Sequence, residues 1–341
     1  MINRSLIGST DIAAILGVSK YRSAWAVQQR ILGLDTSDRW SPQMLRGLAL
    51  EAPVARKFAA LSGLAIEPLE RVENPHGRRW QRCSFDYAAG DGGLVEVKTA
   101  SAYAYASAWG AEPDGVPQDY LVQTQAQLEV TRRPHAWVPV LVVPESLAEL
   151  EGAMAVLGRE QCAATLASMA PLYLALGEVR IYRVERDEEV GAAIVSACES
   201  WWARHIEQRI PCAPDASDAE AIRERHPVER DPPRDASEVE SRDLDAYLEA
   251  RAMRDAAAET VDEIGARLRL AMGDAESIIG DGVRATYRTQ SPRTDWKAVA
   301  SEALSLCGLH GVATKEIVAK HTDASGSRVL KVSAVKARKG E

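Results

Sequence analysis

Large apolar residues recur along this chain in two rhythms, one near every second position and one near every third or fourth, and the rhythm changes several times before residue 212. Ser9 and Thr10 stand just before DIAAILG, which predicts a helix with its N-cap there and Gly17 as its stop. A short helix over about 23–32 follows, then a third from the forties to Leu61 that Gly63 closes, with Pro53 either kinking it or lying in its first turn. Two extended arms, 82–87 and 94–99, flank the turn-rich AAGDGG and predict a β-hairpin. Beyond it the pattern predicts a helix over 117–131, the strand AWVPVLVV, helical material to about Leu176, the strand VRIYRV and a helix ending near Gln208. The expected class is α+β, with a sheet flanked by helices.

The rhythm breaks at 213–237, a polar, Pro-rich stretch that reads as a linker or extended surface segment. Residues 238–272 carry Leu244, Leu248, Val261, Ile264 and Leu268 among Ala, Glu and Arg, which suits one long amphipathic helix or a helical hairpin ended by Gly273. Short β-like pieces follow at 282–289 and 328–335. The expected organisation is therefore a first domain over 1–212, a linker over 213–237, and a helical plus small β region over 238–341. Charge divides along the same lines: 213–276 holds nine Lys/Arg against eighteen Asp/Glu, and 277–341 holds eleven against six. A charge block of this kind is ordinarily a solvated face, although the basic tail is able to touch a phosphate backbone.

With 341 residues, 46% of them hydrophobic, the chain can bury a large core in two or three domains. Five scattered cysteines, without CxxC or Cys/His spacing, read as reduced packing residues rather than zinc or iron–sulfur ligands. No apolar run is long enough for a membrane helix and the start lacks the order of a secretory signal, so the expectation is a cytoplasmic protein. A net charge of −8 gives no global sign of nucleic-acid binding, so any DNA contact must come from local basic surface or bound cations.

The candidate chemistry lies in GLVEVKT, where Glu96 and Lys98 point to one face of a strand. If the turn is centred on Asp91, antiparallel pairing sets Asp86 opposite Glu96, with Cβ atoms only about 5 Å apart. Two carboxylates so close need a proton or a cation between them. Asp86, Glu96 and the Val97 carbonyl offer hard oxygen ligands suited to Mg²⁺, and Lys98 stands beside the waters such an ion keeps. There it would orient a water, or accept its proton if the pocket lowers the lysine pKa. The plainer alternative is a surface ion pair on an edge strand. Glu51 falls on the apolar face of its helix with Val54 and Phe58, where it either reaches the same site or pairs with an arginine such as Arg46. Tyr120, Gln123 and Gln127 share one side of DYLVQTQAQLEV, either holding a water, a phosphate or a lysine, or simply exposed.

In order, IGSTDIAAILGVSKYRS, RGLALE, SFDY, EVK ten residues after Asp86, and DYLVQTQAQLEVTRRPHAW resemble the YqaJ-type viral recombinases, relatives of lambda exonuclease in the PD-(D/E)XK nuclease superfamily. The resemblance runs over about 4–210 and implies a restriction-endonuclease-like fold, a central mixed sheet flanked by helices. It implies an exonuclease, dependent on Mg²⁺ or Mn²⁺, that resects duplex DNA from the 5′ end and leaves a 3′ overhang for a RecT- or Bet-like single-strand annealing protein of phage or prophage origin. It assigns Asp86, Glu96 and Val97 to the metal, Lys98 to catalysis, Glu51 to the helical acid and Gln123 to the following helix. Thr10 and Ser84 would bind the terminal 5′-phosphate with Arg4 nearby, and Tyr120 and Gln127 are grouped with them as DNA contacts. A trimeric ring is the implied assembly. The alternatives are a RecB-like nuclease of other polarity and a non-catalytic DNA-end-binding or scaffolding protein.

Overall fold

The computed structural model describes residues 5–35, 40–112, 115–225, 235–289 and 328–334, and they fall into two units, divided between Glu229 and Arg230. Arg4 lies outside the described residues.

The first unit is built on a mixed sheet in the order β1 (Ile66–Pro68), β4 (Tyr87–Ala89), β5 (Leu94–Val95), β7 (His135–Val143), β6 (Lys98–Ser101), with β8 (Glu178–Glu185) also paired to β7. Strand β7 runs through the core, parallel to β5 and β6 and antiparallel to β8. Its alternation decides the layers. Ala136, Val138 and Val140 face one side, with Leu128 and Val130 of helix α5 (Gln118–Thr131). Leu141 and Val143 face the other, with Leu50 and Val54 of α3 (Pro42–Ser62) and the helices α6 (Glu145–Ala153), α7 (Arg159–Ser168) and α8 (Ala170–Leu176). A third cluster joins α2 (Ala24–Ile31), the short α1 (Ile12–Ile15) and α9 (Glu188–Trp202) beside α5. The expected α+β architecture, a central mixed sheet flanked by helices, is what the chain forms.

Several local expectations need correction. The first turn is a 3₁₀ helix, Ser9–Asp11, whose N-cap is Gly8 and not Ser9 or Thr10. Asp11 reaches back to accept the Gly8 N–H at 2.7 Å, so the acid does the capping. Helix α3 runs unbroken through Pro53, capped by Ser41 and closed by Gly63 at φ 72°. The hairpin arms are each split: β3 (Arg82–Cys83) pairs with β2 (Val72–Glu73) in a separate ribbon, and β5 and β6 are interrupted at Glu96 and Val97. Helix α4 (Ala102–Ala108) is an addition to the expected elements. Residues 213–225, read as linker, contain a 3₁₀ turn and α10 (Ala219–Arg225), tied back by Ser23 Oγ donating to Asp218 at 2.7 Å and by Arg225 donating to Gln29.

The turn between β4 and β5 is fixed from below. Asp91 accepts the Gly93 N–H at 3.0 Å, His135 Nε2 at 3.1 Å and Trp137 Nε1 at 2.9 Å. Partial burial pushes its pKa up, but these donors outweigh that and hold the carboxyl below its ordinary value. Asp91→Ala is expected to cost about 2 kcal/mol in urea unfolding, because it strands a buried imidazole and releases the turn. An unchanged midpoint would show that the turn holds without this clip.

The second unit contains α11 (Glu238–Met272) as a single helix with a Ser237–Glu240 capping box, so the hairpin alternative does not hold. Strands β9 (Ser277–Gly280), β10 (Val283–Thr289) and β11 (Arg328–Ala334) form an antiparallel sheet in the order β11, β10, β9, the C-terminal helical and small β extension expected from the pattern.

Candidate active site

The hairpin register assembles the site. Tyr87 pairs with Val95 and Ala88 with Leu94, so the next residues outward, Asp86 and Glu96, are the ones that meet. Neither lies in a strand. The Glu96 N–H goes to the Trp137 carbonyl at 2.9 Å, whereas the Val97 N–H goes to Asp86 Oδ2 at 2.8 Å. Strands β5 and β6 keep one register along β7 on either side of this break. One amide of the central ladder is therefore committed to a carboxylate from the neighbouring arm.

The Glu96 carboxylate, only 6% exposed, collects three N–H donors. Lys98 Nζ stands 2.7 Å and Gln123 Nε2 2.5 Å from Oε1, and Gln127 Nε2 is 2.7 Å from Oε2. Lys98 also donates to Gln123 Oε1 at 3.2 Å. The surface ion-pair alternative thus fails, since Glu96 and Lys98 pair at the bottom of a buried polar cluster. Gln127, grouped with the DNA contacts, is buried and bridges the Ser84 carbonyl to Glu96. Tyr120 lies half-buried beside Lys98, its ring centroid 4.8 Å from the ammonium.

Charge is concentrated here at a cost. Burial, then Glu96 and Glu51, push the Asp86 carboxyl up to about 8, against the pull of the Val97 amide and Lys98. Glu51, from α3, is raised by partial burial and then by Glu96, with Lys98 pulling back. Arg46 does not neutralise Glu51. It is buried against Glu151 at 2.7 Å, reaches Thr99 Oγ1 at 3.1 Å, and shares Glu151 with the Tyr173 hydroxyl. For Lys98 burial works to lower the pKa, but Glu96 and then Asp86 outweigh it and hold it above the ordinary lysine value. The condition for Lys98 to take a proton from water, a lowered lysine pKa, is therefore not met by these neighbours.

The donor set suits a hard divalent ion: three carboxylates within one another's field and a backbone carbonyl at Val97. Among the described residues, no three His, Cys, Asp or Glu side chains are drawn together as a ready-made cation cage. The fit rests on the chemistry of the donors and on the raised Asp86 and Glu51, which a cation would relieve.

The segments bearing Thr10 and Ser84 are laced side by side. The Ile7 N–H reaches the Trp80 carbonyl at 2.9 Å, and the Arg82 N–H reaches the Ile7 carbonyl at 2.8 Å. Both Thr10 and Ser84 are exposed. Beneath them Asp11 draws Arg22 to 2.8 Å, Arg30 to 2.8 Å and Arg82 to 3.9 Å. Periodicity did not reveal these arginines. The only trace is an acid in the first turn whose role as a cap leaves a second oxygen to be paired.

Residues 2–134 match the family model of the YqaJ-like viral recombinase domain. The matched stretch contains every candidate residue from Thr10 to Gln127, while the central strand β7 follows it. Among solved structures, the chain is similar to an alkaline exonuclease (LHK-Exo) from Laribacter hongkongensis, at 15% identity and a TM-score of 0.40 over 66% of this chain and 96% of that one. It is also similar to a phage-related exonuclease from Haemophilus somnus 129PT, at 15% identity and a TM-score of 0.39 over 60% of this chain and 96% of that one. No curated protein matches the chain. Among the described residues no helix is long and apolar enough to cross a membrane.

Proposed function

We propose that this protein is a divalent-metal-dependent exonuclease that resects linear duplex DNA from the 5′ end and leaves 3′ single-stranded overhangs for a strand-annealing partner. The observation that carries the reading is the buried Glu96 bonded to Lys98 and to two glutamines, with Asp86 and Glu51 close enough for their charges to act on one another. A scaffold that only bound DNA ends would gain nothing from gathering acids next to phosphate.

Asp86, Glu96, the Val97 carbonyl and Glu51 would hold Mg²⁺, with Mn²⁺ as a substitute. When bound, the ion supplies Lewis-acid stabilisation of phosphoryl charge and a more acidic water. Lys98, staying protonated, offers N–H groups to orient a water and a fixed positive charge where the phosphoryl oxygens become more negative. Gln123 and Gln127 fix the Glu96 carboxylate so that its oxygens need not reorganise. Thr10 and Ser84, beside Arg82, would seat the terminal 5′-phosphate, and Arg4 joins them in this proposal. A trimeric ring around the DNA is the proposed assembly, and cytoplasm the proposed compartment.

The test is a linear duplex labelled at one 5′ end, with and without its terminal phosphate, incubated with Mg²⁺. Early release of a labelled mononucleotide, faster with the phosphate, is expected. Release of label only late in the digestion would reverse the polarity, and intact duplex would refute the nuclease.

A further inference from the structure

The Lys98 ammonium has three N–H groups and two oxygen partners, Glu96 Oε1 and Gln123 Oε1. Its remaining side meets the face of Tyr120, at 4.8 Å from the ring centroid. Tyr120 stands one turn before Gln123 on α5, so a single helix face supplies both the amide and the ring. The ring is in turn backed by Trp109, with centroids 5.7 Å apart and planes tilted by 41°. Trp109 is locked by Tyr182 at 4.8 Å and Tyr105 at 6.0 Å, whose hydroxyls share a hydrogen bond of 2.6 Å. Tyr120 and Trp109 also line a cleft of about 840 Å³.

We infer that Tyr120 is a positioning residue for Lys98 and not a DNA contact, acting through the face of its ring. This rests on the nuclease reading of the site. Both oxygen partners of Lys98, Glu96 and Gln123, are hydrogen-bond acceptors of the site that other donors also compete for. The aromatic face holds the cation without occupying a hydrogen-bond acceptor, so it fixes the third side of the ammonium independently of those acceptors. Trp109 matters because a ring free to swing would let the lysine follow it.

The experiment compares Tyr120→Phe and Tyr120→Leu for cleavage of linear duplex with Mg²⁺, together with the methylene signals of ¹³C-labelled lysines without metal or DNA. Lys98 is assigned by the signal that Lys98→Arg removes. With the ring face kept, Tyr120→Phe should hold kcat within about twofold and preserve the ring-current shift of the Lys98 signal. Tyr120→Leu should lower kcat about tenfold, the scale of one partly desolvated cation–π contact, with KM within about twofold and the Lys98 signal moved toward those of the other lysines. A Tyr120→Leu protein with unchanged kcat, or with an unmoved Lys98 signal, overturns the inference. So does a Tyr120→Phe protein as impaired as Tyr120→Leu, because the hydroxyl would then be the active part. Absence of cleavage by the wild-type protein overturns the reading beneath it and this role together, whereas cleavage by the wild type with an unaffected leucine variant overturns this role alone.

Discussion

Lys98→Ala is expected to slow cleavage of linear duplex by at least about a thousandfold, while the protein still folds and still binds DNA ends. The size follows from what the side chain supplies. A protonated amine in a buried cluster is fixed in place before reaction, and among the described residues no other cation is hydrogen-bonded to Glu96. The fold should survive because the β6 backbone keeps its pairing with β7, from Lys98 opposite Val140 to Ser101 opposite Val143. Glu96 would also keep the Gln123 and Gln127 donors. Glu96→Ala should be as inactive and also less stable, since it strands the buried Lys98 ammonium and the Gln123 and Gln127 donors. Initial rates, thermal melting and end binding without metal read these effects separately. Wild-type cleavage by either variant would remove the site from the chemistry.

The second large effect is a dependence of stability on pH that metal reverses. Asp86 moves from 3.8 in the unfolded chain to about 8 in the folded one, so the native state holds its proton more tightly. Its stabilising contribution is fully present below about pH 4 and is lost as pH rises through about 8. Without metal, the protein should lose on the order of a few kcal/mol between those limits. Asp86→Asn, which cannot ionise, should flatten the profile and be the more stable protein at the alkaline end. Mg²⁺ should restore the wild type there, because it favours the carboxylate form, and should leave Asp86→Asn unmoved. Urea unfolding at about pH 5, 7 and 8.5, in chelator and in Mg²⁺, measures all three. A flat metal-free profile for the wild type would mean that the acids are not in one another's field.

Much of this was readable in the order of residues, for physical reasons that differ from element to element. The alternation across residues 135–143 separates two faces because both are buried, and the structure sorts them to α5 and α3. The turn centre at Asp91 gave the Asp86–Glu96 register because hairpin pairing is arithmetic once the centre is known. Helix α4 escaped because AYAYASA alternates small and aromatic residues like a strand, and none of its residues is buried. The glutamines of α5 showed an unusual polar face, but an amide looks the same in sequence whether it meets water or a carboxylate. Only the placement of Glu96 beneath them decides it. The Arg46–Glu151 pair could not be read at all, since it joins α3 to α6 through a contact with no period.

The break between β5 and β6 has a consequence for the exposed turn that precedes it. The Val97 amide finds Asp86 because of how many residues lie between them, and those residues include the turn AAGDGG with Gly90 and Asp91 exposed. Adding or removing one residue in that turn would slide one arm by a step and turn its side chains to the opposite face. That turn would then be as intolerant of length change as the acids of the site are of substitution.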